Sequence, residues 1–294
     1  MIYPMTFLYQ LINGIQIGSI YALVALGYSM VYGIVMLINF AHGEIIMIGS
    51  YVTWYVMSQM GLHPAIAIVA AIVFCALFGA IIEKVAYKPL RKSERLSLLI
   101  TAIGISLLLQ NTAQLVFSAN PRMFTNIFTG FVQIGNRQFS SATFVTIIVS
   151  ILIMIGLTLL VNKTKMGKAM RAVSEDNDTA QLMGINVNHT ITFTFALGSA
   201  LAAIAAILYC CSYSQIQPTM GSMLGLKAFV AAVLGGIGSM PGAMIGGFCI
   251  GIAESLTKGY ISSQLADAVV FGILIVVLLI KPTGILGRRI SEKV

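Results

Sequence analysis

Charged side chains make up only 9% of this 294-residue chain, and no Lys or Arg precedes Lys84. That scarcity excludes a soluble enzyme domain, because 58% apolar residues at a mean hydropathy of +0.95 exceed what one water-soluble core of this size can hide. The missing basic flank argues against a secretory signal peptide, so the first apolar run is expected to stay in the protein. There are 4 cysteines, Cys75, Cys210, Cys211 and Cys249, scattered through apolar stretches with one vicinal pair. Such spacing provides neither a disulfide framework nor a metal site, and they read as small hydrophobes. No phosphate-cradling Gly-x-x-x-x-Gly-Lys-Ser/Thr loop is present, and Pro241 stands where the third glycine of a dinucleotide fingerprint would fall. The chain is therefore expected to bind no nucleotide or other cofactor itself. The single Asn-Pro pair, Asn120-Pro121, lacks the alanine of a water-channel motif, and no arginine ladder marks a voltage sensor.

Long apolar runs are what the chain does have. Five read as spans, at about 64–82, 97–117, 144–161, 191–211 and 265–280. The stretch 6–38, studded with Gly14, Gly18, Gly27 and Gly33, is either one long tilted helix or two segments broken at a glycine. Another span follows over 44–60. The run 224–257 is interrupted by Gly235 to Gly242, which reads as a broken helix or a re-entrant pair. The expectation is an all-α integral membrane protein, a single domain over 1–294 with about eight crossings and roughly ten at most. A possible internal repeat pairs Ala22 to Gly27 with Phe229 to Gly235, as in transport proteins built from paired halves.

The net charge of +8 is concentrated in loops rather than spread as a nucleic-acid patch. Lys84, Lys88, Arg91, Lys92 and Arg95 fall in one segment, Lys163, Lys165, Lys168 and Arg171 in a second, and Lys281, Arg288, Arg289 and Lys293 in the tail. Short basic loops stay cytoplasmic, and the first two are separated by two spans, the parity that rule requires. Residues 118–143, carrying Arg122, Arg137 and several Phe, are then external and expected to pack on the outer face.

Three features stand out. Small residues four apart, Gly238, Gly242 and Gly246 with Gly247 and Gly251, let helix backbones touch; alternatively Gly235, Gly236 and Gly238 unwind beside a passage for solute. Asn39-Phe40-Ala41-His42-Gly43-Glu44 is either a helix-to-helix turn or a polar patch facing such a passage, and Glu254 carries the same two readings. Within the loop 163–190, Ser174 fits an N-cap and Gly184 a stop, predicting a short helix over about 175–183. Its exposed Ala180, Leu182 and Met183 suggest a docking surface, against the plainer option of a helix lying on its own protein.

With those residues in view, the chain resembles the permease subunits of bacterial branched-chain amino acid ABC transporters, specifically the shorter, H-type of the two permeases. The resemblance runs nearly the whole length. It rests on Ala22 to Gly27 with Asn39 to Glu44, on Gly167-x-x-x-Arg171-Ala172 with Ala180 and Gly184-Ile185-Asn186, on Lys227-Ala228-Phe229 leading to Gly235-Gly236-Ile237-Gly238-Ser239-x-x-Gly242, and on Lys281-Pro282-Thr283-Gly284. Urea, short-amide and pentose permeases resemble parts of the same pattern. The resemblance implies a non-enzymatic subunit of the cytoplasmic (inner) membrane that pairs with a second, M-type permease. Its other partners would be two ATPase subunits that use Mg-ATP, an external solute-binding protein and the lipid bilayer, with no nucleic acid. It further implies that the loop helix couples to the ATPase through Glu175, Asp178, Ala180 and Gly184. Asn39, His42, Glu44, Gly235, Gly236, Gly238 and Glu254 are the candidate substrate pathway. An ion-coupled secondary transporter, a passive channel and a purely structural subunit are the rival readings.

Overall fold

The computed structural model of the chain describes residues 2–36, 39–91, 93–134 and 137–287. Lys92, Arg288, Arg289 and Lys293 of the basic clusters lie outside the described residues. The run beginning at 6 is a single helix, α1 (Ile2–Val35), rather than two broken segments. Its only proline is at the first turn, where no backbone bond is lost, and its glycines serve close packing instead of a break. At 34 residues it is about 50 Å long, well beyond a bilayer core of ~30 Å, so it tilts or projects.

The chain then turns and enters α2 (His42–Trp54), which runs on through a π-helical turn over Tyr55–Gln59. His63 caps α3 (Pro64–Ile82), and a π turn and a 3-10 turn carry the chain out to Leu90. After α4 (Arg95–Phe117) come the strand β1 (Arg122–Met123) and the hairpin β2 (Phe131–Ile134) and β3 (Arg137–Ser140). Ser140 caps α5 (Ser141–Lys163), and two short helices follow, α6 (Lys165–Glu175) and α7 (Asn177–Leu182). The chain returns in α8 (Val187–Tyr213), makes β4 (Gln215–Ile216) and ends with α9 (Met220–Gly235), α10 (Met240–Tyr260) and α11 (Ala266–Ile280). Six of these helices are long and apolar enough to cross a membrane, and α9 and α11 are shorter apolar helices.

Antiparallel pairing of β1 with β4, Arg122 opposite Ile216, places the exits of α4 and α8 at one end of the bundle. Arg122 donates to the Phe117 carbonyl at 2.8 Å and stacks over Trp54, and Phe124 and Phe139 are buried, so the 118–143 segment packs down as its composition suggested. The opposite end carries α6, α7 and the basic residues, with Arg91, just past the 3-10 turn that follows α3, donating to Asn188 at the start of α8.

The centre is made of small side chains. Ala22, Leu23, Val24, Ala25 and Leu26 of α1 have no exposed surface, nor have Ala202, Ala203, Ala205 and Ala206 of α8. Outer helices α3 and α4 instead expose Leu77, Leu108 and Leu115, as side chains facing lipid or another membrane subunit must. The glycines of α10 divide between two neighbours. Gly242 and Gly246 abut Gly235 and Ala231 of α9, whereas Gly247 and Gly251 abut Ala22 and Gly18 of α1. The packing role read from their spacing is the one they fill. Gly27 and Gly235, landmarks of the internal echo, sit in different settings, one in the last third of α1 against α2 and α8 and the other closing α9.

The loop helix differs from its expectation. Asp176 is extended and breaks the segment in two, its carboxylate accepting from Thr179 N at 2.7 Å as the cap of α7. Ser174 lies in the last turn of α6, where its hydroxyl donates to the Arg171 carbonyl. An aspartate is as good an N-cap as a serine, and the one nearer Thr179 prevails.

Candidate functional site

The first turn of α2 is pushed into the interior instead of lying at a surface. His42 is flanked by Gly27 of α1 and Gly198 of α8, and Gly43 faces Gly221 and Gly225 of α9. A Cβ at Gly43 would sit 2.5 Å from the Gly221 carbonyl oxygen, so only glycine pairs allow this approach. Tyr28 meets the His42 ring edge-on at 4.8 Å, and His42 Nε2 has no hydrogen-bond partner. Glu44 is fully buried: its Oε1 accepts from Ser222 of α9 at 2.7 Å and from Ser106 of α4 at 3.1 Å. Its Oε2 has no partner. A carboxyl group with one oxygen held and one open, at the first turn of a helix whose N-terminal dipole favours negative charge, is an acceptor in waiting.

Asn39 belongs elsewhere. Its Oδ1 accepts from Tyr87 at 2.6 Å, and Tyr87 packs on Phe195, so this residue ties the α1 to α2 turn to the end of α3.

Glu254 forms a separate, saturated cluster. Tyr21 donates to its Oε2 at 2.6 Å, while Lys227 and Lys258 approach its Oε1 at 2.8 and 2.6 Å. Lys227 also pairs with Asp267 at 2.6 Å, so two cations and two carboxylates balance across α9, α10 and α11. Balanced in this way, the charges avoid the large penalty of an isolated ion in apolar surroundings. Glu254 therefore has no oxygen left for a solute.

Gly235, Gly236 and Gly238 make the α9 to α10 turn, with φ of 106° at Gly236 and 88° at Gly238. The interruption read from the sequence is real, and the protein itself satisfies it. Ile285 N donates to the Leu234 carbonyl at 2.8 Å and Leu286 N to the Gly235 carbonyl at 2.9 Å, so the tail closes the joint. The first turn of α2 thus points His42 toward α1 and α8 and Glu44 toward α4 and α9, two different faces, and Asn39, Glu254 and the glycine turn lie in three other places.

In the loop helix Glu175, Asp178 and Gly184 are exposed, and Ala180, expected on the surface, is buried against the bundle. Leu182 and Met183 are 87% and 78% exposed at the tip, and Gly184 ends the helix at φ 82°. Four side chains that make these polar contacts were not singled out as site residues from the sequence. Ser106 and Ser222 were single hydroxyls in apolar runs, and Lys227 was a lone cation within the 224–257 run, a signal that could have been used. The fourth, Glu83, is fully buried, accepts from Thr192 at 2.6 Å and pairs with Arg91. Among the described residues no group of three or more His, Cys, Asp or Glu could hold a metal ion.

Comparison with known proteins adds the lineage. Residues 10–279 match the family described as branched-chain amino acid transport system / permease component. The high-affinity branched-chain amino acid transport system permease protein LivH of Escherichia coli K12 is 47% identical, with 98% of each chain covered. BraD of Pseudomonas aeruginosa, described in the same words, is 45% identical over 98% of each chain. Among solved structures, PsaBC from Streptococcus pneumoniae in complex with Fab shares the fold at a TM-score of 0.50 and 19% identity, covering 94% of this chain and 92% of that one.

Proposed function

Because the chain belongs to the family of branched-chain amino acid transport permeases, we propose that it is the H-type permease of a binding-protein-dependent ABC importer, passing leucine, isoleucine and valine across the cytoplasmic membrane. The observation that carries this reading is the likeness along the full length of both chains. A second, M-type permease completes the pathway, and two cytoplasmic ATPases supply the energy from Mg-ATP. An external binding protein delivers the solute.

In this reading the end bearing α6, α7 and the basic residues is cytoplasmic. Leu182 and Met183 enter a groove of the ATPase, with Glu175 and Asp178 on its rim, and Gly184 sets the exit angle. Closure of the ATPases then moves α6 and α7, and the bundle alternates between inward- and outward-facing states. Ser106 and Ser222 are partly exposed and hold Glu44 Oε1, while the unpartnered Oε2 is buried beside Gly221, so in this reading it takes the ammonium of a passing zwitterion only once α4 and α9 part. The aliphatic side chain needs only the apolar surroundings that α4 and α9 provide.

The test is ATP-dependent uptake of labelled leucine, with urea and ribose as comparisons, into vesicles carrying the assembled complex and its binding protein. Wild type should take up leucine, while Gly184→Val, strained at φ 82°, should assemble and lower uptake. Glu44→Gln, which keeps the shape and removes the charge, should lower uptake at least tenfold. Uptake of urea alone would move the substrate assignment. Uptake that follows a proton or sodium gradient and persists without ATP would refute the ABC reading.

A further inference from the structure

Away from the Glu44 centre, at the end of the bundle formed by the β strands, a cavity of about 360 Å³ opens between α1, α5, α8, α10 and β3. Ligand pockets run from about 300 to 1,000 Å³, so this one has room for a small molecule. Its frame is held by hydrogen bonds among its own walls. Gln16 donates to Ser212 at 2.6 Å and accepts from Thr143 at 3.0 Å, and Ser255 donates to Gln10.

Four polar groups on the wall keep hydrogen-bonding capacity. Asn13, Gln138 and the Tyr213 hydroxyl have no side-chain hydrogen bond among the described residues, and Lys258 uses one proton on Glu254 at 2.6 Å. An ammonium has three donors, so two of its protons remain for a guest. Among the described residues Lys258 is the only charged one lining the cavity, no carboxylate lines it, and Ile17 and Phe139 supply an apolar side. The burial of Glu254 in its ion pairs acquires a purpose here. Shared between Lys227 and Lys258, it holds the Lys258 ammonium at the wall instead of meeting a solute itself.

We propose that this cavity binds a small carboxylate with a short apolar body, such as an α-amino acid zwitterion, its carboxylate on Lys258 and its polar remainder on Asn13 and Gln138. The lining itself calls for a carboxylate with an apolar body, and the choice of an amino acid rests on the transport reading, while binding here needs neither nucleotide nor the external binding protein.

The experiment is equilibrium dialysis of labelled leucine against the assembled complex in nanodiscs, without nucleotide or binding protein. Isovalerate and isoamylamine serve as competitors. Leucine should bind, isovalerate should displace it, and isoamylamine should not. Lys258→Gln should weaken binding at least tenfold, and Lys258→Arg should restore most of it. Gln138→Leu, on an exposed strand away from the ion pairs, should weaken it several-fold while elution of the complex on size exclusion stays that of wild type. Absence of leucine binding to intact complex, unchanged binding in both Lys258→Gln and Gln138→Leu, or displacement by the amine rather than the carboxylate would overturn the proposal. So would binding that tracks Glu44→Gln rather than Lys258→Gln. Failure of ATP-driven uptake with this binding intact would count against the transport reading and leave the cavity assignment standing.

Discussion

Replacing Gly247 by alanine tests whether the α1 to α10 seam is set by backbone contact. A Cβ at Gly247 would lie 2.5 Å from both Cα and N of Ala22 and 2.6 Å from its Cβ. None of these atoms can rotate away, and nonbonded carbon atoms rest at about 3.5–4.0 Å, so the two helices must separate by about 1 Å. Overpacking of this kind destabilises by about 1–3 kcal/mol. Alanine returns up to ~1 kcal/mol of helix propensity, leaving a net loss of about 0–2 kcal/mol. Gly104 on α4 and Gly272 on α11 meet nothing within 4 Å, so alanine there keeps the propensity gain without the clash. The two classes should therefore differ by the overpacking penalty itself, about 1–3 kcal/mol, or roughly 2–10 °C in melting temperature for a chain of this size. Thermal unfolding of the detergent-purified chain, followed by loss of the monodisperse peak, measures that difference. Gly247→Ala melting level with Gly104→Ala or above it would refute the dependence of the seam on direct backbone contact.

The buried ion pairs give a second expectation. Lys227→Met leaves Asp267, which is 45% exposed, unpaired and buried Glu254 with Lys258 as its one cation, so the loss should be about 1–3 kcal/mol, below that for a fully uncompensated buried charge; adding Asp267→Asn should recover part of the loss, and an effect no larger than that of Lys163→Met on the surface would contradict the network. At the α7 exit, Gly184 has φ 82° with nothing within 4 Å of a Cβ, so Gly184→Val adds about 1–2 kcal/mol of backbone strain whereas Gly184→Asn tolerates the conformation. ATP hydrolysis by the assembled complex should follow the order Gly, Asn, Val; equal rates would show that the turn angle is immaterial. Cysteines at Ser106 and Ser222, in a background with Cys249 replaced, should be bridged by a short thiol cross-linker at rates that differ at least threefold with and without nucleotide, and equal rates would mean that α4 and α9 do not move relative to each other.

Apolar runs made α3, α4, α5, α8 and α11 legible, yet hydropathy found the middles of helices better than their ends. Asn186 caps α8 by accepting from His189 N at 3.0 Å, five residues before the run at 191 begins. The helix α6 left no apolar run at all, because only Gly167, Met170 and Val173 turn inward on an otherwise polar segment. His42 and Glu44 could be picked out as ionisable groups between apolar runs, a signal that needs no partner. What Glu44 touches could not, since Ser106 and Ser222 reach it from helices 62 and 178 residues away. The same holds for Glu254. As an acid in an apolar run it looked like a pathway residue, and only the arrival of Lys227, Lys258 and Tyr21 from α9, α10 and α1 reveals that it is fully engaged.

The packing also determines what a force on the loop helices can move. Helix α7 leans on α6 and α8, and α6 packs on α1, α5 and α8. Those two long helices, α1 and α8, are the ones that grip His42 between Gly27 and Gly198. Glycine and alanine seams lock α1 to α10 and α10 to α9, leaving no compressible side chains at the contacts, so these helices respond together as one body. Helix α4 stands apart from that body. It is held by the Glu44 to Ser106 hydrogen bond at its middle and by Phe117 stacked 4.4 Å from Tyr51 at its end. In the proposed cycle a displacement entering at α7 would tilt the core against α4 and strain the contacts at Glu44 and at Phe117. The carboxylate proposed to meet the solute is thus also one of the two ties between α4 and that body, the other being the stack of Phe117 on Tyr51.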